Sequence, residues 1–87
     1  MYSVRLLKNA SKELEKLDRT VAIHIVERLE WLSSNLDSTK LFPLKGELSG
    51  LYKLREGSYR IILEILKSEK IIIVHAIGHR REIYKRR

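Results

Sequence analysis

Residues 51–66, with the sequence LYKLREGSYRIILEIL, carry the pattern that decides the fold. The runs 51–55 and 59–66 alternate in the manner of β-strands, and the break between them, 56–58, is short enough for a hairpin. A third strand-like run, 70–77, follows after another short break. These three runs predict an antiparallel meander.

The chain before the meander predicts one strand and two helices. Residues 2–7 alternate like a short strand, which we place at a sheet edge or beside the C-terminal strands. Ser11 or Asn9 can cap a short first helix, and Asp18 can cap a longer second one. The apolar residues of the second helix recur at intervals of three and four and are Val21, Ala22, Ile25, Val26, Leu29, Leu32 and Leu36.

We therefore predict a single α+β domain over residues 1–87. A leading strand is followed by two N-terminal helices packed on one face of an antiparallel β-sheet, and the chain ends in a short basic C-terminal tail. Ile23 and Trp31 fall outside the apolar stripe of the second helix. We expect them to pack against the first helix, with a docking surface for another protein as the alternative.

Composition restricts the classes of function. A chain of 87 residues buries only about 60–65% of its unfolded surface, so any site should be open and shallow. The absence of cysteine excludes a disulfide, a thiolate nucleophile and a cysteine zinc site. No apolar run approaches the roughly 18 residues that span a bilayer. We predict a cytoplasmic protein that binds no membrane and no cofactor.

The charge is segregated along the chain. Residues 1–50 carry eight basic and seven acidic side chains, whereas residues 51–87 carry ten basic and four acidic ones, a net charge of +6. An excess of positive charge that served only solubility would not be expected to collect in this way. The C-terminal part therefore predicts a polyanionic partner.

The parity of the strands places several of these charges on one face. The odd-numbered residues of the run 59–66 are apolar and should meet the helices, so Arg60 points to the open face. Lys53 and Arg55 alternate with apolar residues on the neighbouring strand and should share that face. A basic cluster of this kind suits the phosphodiester of RNA. The alternative is a solvated charge ladder in which Arg55 and Arg60 pair with Glu56 and Glu64.

The C-terminal tail adds further candidates for binding RNA. Arg80, Arg81 and Tyr84 can reach the same region if the tail folds back, and Lys85 extends the set. His79 is flanked by Gly78 and Arg80, which predicts an exposed side chain that contacts a phosphate, with assistance in proton transfer as the alternative. The three histidines have no zinc-like spacing, so we predict no metal site.

Two stretches resemble a known family. Residues 48–62, LSGLYKLREGSYRII, and 77–84, IGHRREIY, are similar to the RelE branch of the RelE/ParE toxin superfamily, and the resemblance extends over essentially the whole chain. It implies a toxin of a type II toxin–antitoxin system that enters the decoding site of the ribosome and cuts messenger RNA without a metal. It also implies inhibition by a cognate antitoxin, and operator DNA as a ligand of the toxin–antitoxin complex.

The resemblance also implies roles for individual residues. Arg60 matches the arginine that stabilises the reacting phosphate, and Lys53 matches a basic residue of the catalytic strand. Arg80 matches the arginine that serves the phosphate or the leaving group. Tyr84 matches the tyrosine that stacks on a nucleotide and can also help with proton transfer. Leu51 stands where the best-known members have a second lysine, so the resemblance assigns no general base.

Two other functions are compatible with the same fold. The ParE branch inhibits DNA gyrase by binding, and an inactive member would act only with its antitoxin as a DNA-bound repressor complex. The presence together of Lys53, Arg60, Arg80 and Tyr84 favours the nuclease.

Overall fold

The computed structural model describes residues 1–83. Over that range it contains two α-helices and one five-stranded sheet with the order β1-β5-β4-β3-β2. The helices are α1 (Lys8–Glu15) and α2 (Arg19–Asn35). The strands are β1 (Ser3–Leu6), β2 (Phe42–Pro43), β3 (Tyr52–Glu56), β4 (Tyr59–Leu66) and β5 (Ile71–His79). The predicted α+β class is confirmed.

The sheet is mixed, so the prediction of an antiparallel sheet is wrong for one strand. Strands β3, β4 and β5 form the expected antiparallel meander, but β1 runs parallel to β5, with Ser3 beside Ile71. Both helices and three strands separate β1 from β5 along the chain. No tight turn therefore forces these two strands to be antiparallel. Alternation identifies a strand and its two faces, but it carries no information on the direction of the neighbouring strand.

The two helix starts differ in how they are capped. Asp18 caps α2 as predicted, because its carboxylate accepts a hydrogen bond of 3.2 Å from the backbone N–H of Thr20. The predicted cap of α1 is wrong, since α1 begins at Lys8 after Leu7 and has no side-chain cap. Asn9 instead donates from Nδ2 to the backbone oxygen of His75 at 3.0 Å and so ties α1 to β5.

The core lies between the helices and one face of the sheet. Its buried residues are Ala10 of α1, Ile25, Leu29 and Leu32 of α2, and Leu54, Ile61, Leu63, Ile72, Val74 and Ile77 of the sheet. This arrangement confirms the predicted parity of β3 and β4. Ile23 and Trp31 are each 45% exposed, so their expected packing against α1 is not observed. Over residues 1–83, neither helix is long and apolar enough to cross a membrane.

Candidate nucleic-acid interface

A tight turn aligns β3 with β4 and so determines which side chains meet. Glu56 lies opposite Tyr59, which leaves Gly57 and Ser58 as a two-residue loop. Gly57 adopts a φ of +59° and Ser58 keeps a negative φ, the conformation of a type II′ hairpin turn. This register places Arg55 directly opposite Arg60.

Three cations share the sheet face that points away from the helices. Arg55 pairs with Arg60 across the strands, and Lys53 pairs with Ile62, two residues further along β4. Residues directly opposite each other in a ladder lie on the same face. We call the face that carries Lys53, Arg55 and Arg60 the basic face.

The acidic residues expected to neutralise this face have other partners. Glu56 lies on the helix side, with Oε1 3.8 Å from Nε of Arg28. Glu64 places Oε1 2.8 Å from Nε2 of His75, the extra residue that a β-bulge inserts into β5. Among residues 1–83, no salt bridge engages Lys53, Arg55 or Arg60. The charge-ladder alternative is therefore wrong.

Arg60 is held in place by the hairpin that it follows. Its Nη1 donates hydrogen bonds to the backbone oxygens of Gly57 at 2.9 Å and of Tyr59 at 2.8 Å. These two bonds use both hydrogens of Nη1, and the guanidinium keeps three N–H groups, on Nε and Nη2, that can bind an anion. A fixed fork of this type suits bidentate contact with a phosphate.

The end of β5 brings the backbone of Arg80 to the same turn. Gly78 lies opposite Arg60, and the backbone N–H of Arg80 donates to the oxygen of Ser58 at 2.8 Å. The side chains of Arg80 and Arg81 are exposed. The backbone of Arg80 therefore lies beside the turn that holds Arg60. Two other predicted site residues, Tyr84 and Lys85, lie outside the described residues.

His79 occupies the other side of the sheet. It lies opposite Tyr59, whose side chain packs against the core, and the two rings meet edge to face with centroids 5.5 Å apart. A groove of about 680 Å³ lies on this side, lined by residues that include Lys12 and His79. The structure thus does not bring His79 to the basic face, and its predicted exposure is only partial. The cause is that β5 continues to residue 79, so alternation still applies there.

An aromatic residue that sequence analysis missed lies on the basic face. Phe42 of β2 pairs with Lys53, and its side chain is 42% exposed. The centroid of its ring is 5.7 Å from Nζ of Lys53 and 5.0 Å from Cζ of Arg55. A strand of two residues that contains Pro43 shows no alternation, so the available signal was a short apolar run, residues 41–44, between the second helix and the meander.

The described residues offer no metal-binding group of three or more histidine and acidic side chains. Within residues 1–83, the basic face offers three cations and the aromatic ring of Phe42. Such a surface can bind a phosphodiester and stabilise additional negative charge on it.

Comparisons with known proteins agree with the resemblance seen in the sequence. Residues 4–84 match the family model described as the ParE toxin of type II toxin–antitoxin system, parDE. Toxin RelG of Mycobacterium tuberculosis is 30% identical over an alignment of 88 positions, which covers 98% of this chain and 98% of that one. A putative RelE-like toxin protein of Escherichia coli is 30% identical over 81 residues, 91% of this chain and 83% of that one.

A solved structure has a similar fold over most of this chain. It is the toxin–antitoxin complex RelBE2 of Mycobacterium tuberculosis, with a TM-score of 0.81 and 28% sequence identity. The match covers 90% of this chain and 96% of that chain. The similarities therefore span both helices and the strands that carry the basic face.

Proposed function

We propose that this chain, which belongs to the ParE toxin family of type II toxin–antitoxin systems, is a ribosome-dependent endoribonuclease that cuts messenger RNA. Its similarity to toxin RelG and to a RelE-like toxin protein supports this choice within the superfamily. The family assignment confirms the RelE/ParE resemblance of residues 48–62 and 77–84. Cleavage of messenger RNA in the decoding site is the activity that the RelE branch implies. The proposed place of action is the cytoplasm, where ribosomes translate.

The basic face is the observation that supports this activity. Lys53, Arg55 and Arg60 lie together on two neighbouring strands, and no described carboxylate forms a salt bridge with them. Their mutual repulsion costs stability, and an anion that binds there removes that cost. The face is open, so it can approach an RNA strand that the ribosome holds in an extended conformation.

The proposed reaction is attack of an RNA 2′-hydroxyl on the adjacent 3′-phosphate. The 2′-hydroxyl gives its proton to water and its oxygen bonds to phosphorus. The bond from phosphorus to the 5′-oxygen breaks and the 5′-oxygen takes a proton from water, so the products carry a 2′,3′-cyclic phosphate and a 5′-hydroxyl. Negative charge increases on the phosphate oxygens in the transition state. Arg60, fixed by its bonds to Gly57 and Tyr59, supplies donors to those oxygens, and Lys53 adds a second positive charge.

Orientation supplies the rest of the proposed rate enhancement. An in-line arrangement of the 2′-oxygen, phosphorus and 5′-oxygen is uncommon in free RNA, and the ribosome would hold the strand in it. Arg80, whose backbone is bonded to Ser58, is proposed to neutralise the leaving oxygen. Tyr84 is proposed to stack on a base, and Arg55, Arg81, Lys85 and His79 to contribute to RNA binding.

The proposed partners are an antitoxin, the ribosome and messenger RNA. The related toxin of Mycobacterium tuberculosis was solved in a toxin–antitoxin complex. A net charge of +7 favours an antitoxin segment with acidic residues. The complex of the two proteins is proposed to bind operator DNA.

The decisive experiment compares Arg60→Ala with the wild type in cleavage of ribosome-bound messenger RNA. Loss of a donor that stabilises transition-state charge should lower the cleavage rate about 10²- to 10³-fold. Arg19→Ala, at the exposed start of α2, removes the same charge from another surface and should leave the rate unchanged. Wild-type cleavage by Arg60→Ala, or equal losses in both variants, would contradict the proposed site.

Gyrase inhibition is the second candidate, because the matching family model is that of ParE toxins. A supercoiling assay with the same protein preparation separates the two functions. Inhibition of supercoiling without any cleavage of ribosome-bound messenger RNA would replace the nuclease assignment with the ParE one.

A further inference from the structure

Phe42 has a position unlike that of the other aromatic residues that the structure describes. Tyr52 and Tyr59 pair with residues on the helix side of the sheet. Tyr2 packs against the core, and Trp31 lies on α2. Over residues 1–83, Phe42 is the aromatic residue that the strand register places on the basic face. It belongs to β2, an edge strand of the sheet that the described residues form, and it is 42% exposed.

The surroundings of the ring combine an exposed aromatic surface with two cations. Lys53 and Arg55 are two residues apart on β3, and both place their charged groups within 5.7 Å of the ring centroid of Phe42. Contacts of this kind at an exposed site are weak, and both side chains are long and flexible. The two cations can therefore leave the ring for a phosphate when one is present.

We propose that Phe42 is a stacking platform for a base of the RNA strand, while Lys53 and Arg55 bind the phosphates that flank that base. Exposed aromatic rings beside cations bind single-stranded nucleic acids in this way, because every base has a flat face and every nucleotide a charge. The inference rests on the proposed function only in naming RNA as the substrate.

The sheet geometry limits how far the stacked base lies from the cleaved phosphate. Phe42 lies two strands away from Arg60 and two residues along the strand, a separation of about 12 Å. That separation exceeds the step between successive phosphates. If Arg60 binds the phosphate that is cleaved, the base on Phe42 therefore lies about one or two nucleotides away from the cleaved bond. Phe42 is then a residue that contributes to substrate preference.

A tryptophan at position 42 makes stacking directly visible. The chain has a single tryptophan, Trp31, so the double variant Trp31→Phe with Phe42→Trp carries its one indole on the basic face. The probe is a 2′-O-methyl oligoribonucleotide of about six nucleotides, which the proposed chemistry cannot cleave. Its binding should quench the fluorescence of the double variant and leave that of the wild type, which reports on α2, unchanged. Binding seen by anisotropy without quenching would overturn the inference.

A second variant separates stacking from mere positioning of the cations. Phe42→Leu keeps an apolar side chain without the ring and should weaken binding of the same oligonucleotide about 5- to 150-fold. Because leucine and phenylalanine are both uncharged, the dependence of log affinity on log salt should keep its slope. A shallower slope would mean that fewer phosphates are neutralised, and Phe42 would then only position Lys53 and Arg55. Trp31→Leu is the control and should bind like the wild type.

The outcomes also distinguish this inference from the proposed function. Quenching at position 42 in a protein that does not cut ribosome-bound messenger RNA would support the stacking site and contradict the nuclease proposal. Cleavage by the wild type, with no quenching and unchanged binding by Phe42→Leu, would remove the stacking site alone. Loss of antitoxin affinity in Phe42→Leu without loss of RNA affinity would likewise overturn the inference in favour of a protein contact.

Discussion

The two faces of β4 contribute differently to stability, although their residues alternate along one strand. On the helix side, Ile61 and Leu63 have no exposed surface and belong to the core. On the basic face, Arg60 stands opposite another arginine, Arg55, an arrangement that lowers the stability of a sheet. The helix side therefore stabilises the fold, and the basic face gives up some stability for charge. Ile62 is the exception, since it lies on the basic face and is only 4% exposed.

Leu63→Ala should show the largest difference between the faces. Removal of a fully buried leucine side chain leaves a cavity and should lower the free energy of unfolding by about 2–5 kcal/mol. Arg60→Ala, on the other face of the same strand, should change it by about 0.5 kcal/mol or less. Urea denaturation followed by circular dichroism measures both values. Comparable losses of unfolding free energy in the two variants would mean that both faces of β4 stabilise the fold.

Asp18→Ala should have an intermediate effect, because it acts on the helix that covers one face. Loss of the hydrogen bond from the Thr20 N–H to Asp18 should lower the free energy of unfolding by about 1 kcal/mol. Asp18→Asn keeps an oxygen that can accept this bond and serves as the matched control. Thermal unfolding of the three proteins tests the cap, and an Asn variant as unstable as the Ala variant would show that the charge matters more than the bond.

Arg55→Glu should have the smallest effect on stability and one that depends on salt. In the wild type, salt screens the repulsion between Arg55 and Arg60, so raising the salt concentration should raise the free energy of unfolding by a few tenths of a kcal/mol. In Arg55→Glu the interaction with Arg60 is attractive, and the salt dependence should weaken or reverse. Lys40→Glu in an exposed loop makes the same charge change and should keep the wild-type sign. RNA affinity should fall in Arg55→Glu at every salt concentration.

Side-chain alternation made much of this comparison predictable from the sequence. The bounds of β4 and the shared face of Lys53, Arg55 and Arg60 follow from which positions are apolar, because burial on one face requires a period of two. The start of α2 follows from Asp18, whose side chain satisfies a backbone N–H that the helix leaves unpaired. These features depend on residues close together in the chain.

The features that could not be predicted depend on distant parts of the chain. The direction of β1 is decided by β5, at the opposite end of the chain, and Phe42 joins the sheet only because Lys53 lies beside it. His79 lies on the helix side because it pairs with Tyr59, and this pairing extends β5 two residues beyond its predicted end. The pairing between strands decides which face a side chain occupies. The sequence of one strand predicts that face only where the alternation of apolar and polar residues is long.

The pairing of Ser3 with Ile71 also has a consequence for the order of events during synthesis. The β3–β4 hairpin contains only local contacts and can form early, whereas β1 must wait for β5 before its edge is satisfied. Contacts between distant parts of a chain are slow to form because the loop between them must close first. During translation β1 emerges before β5, so the parallel partner of β1 is missing until both helices and the β3–β4 hairpin have also emerged.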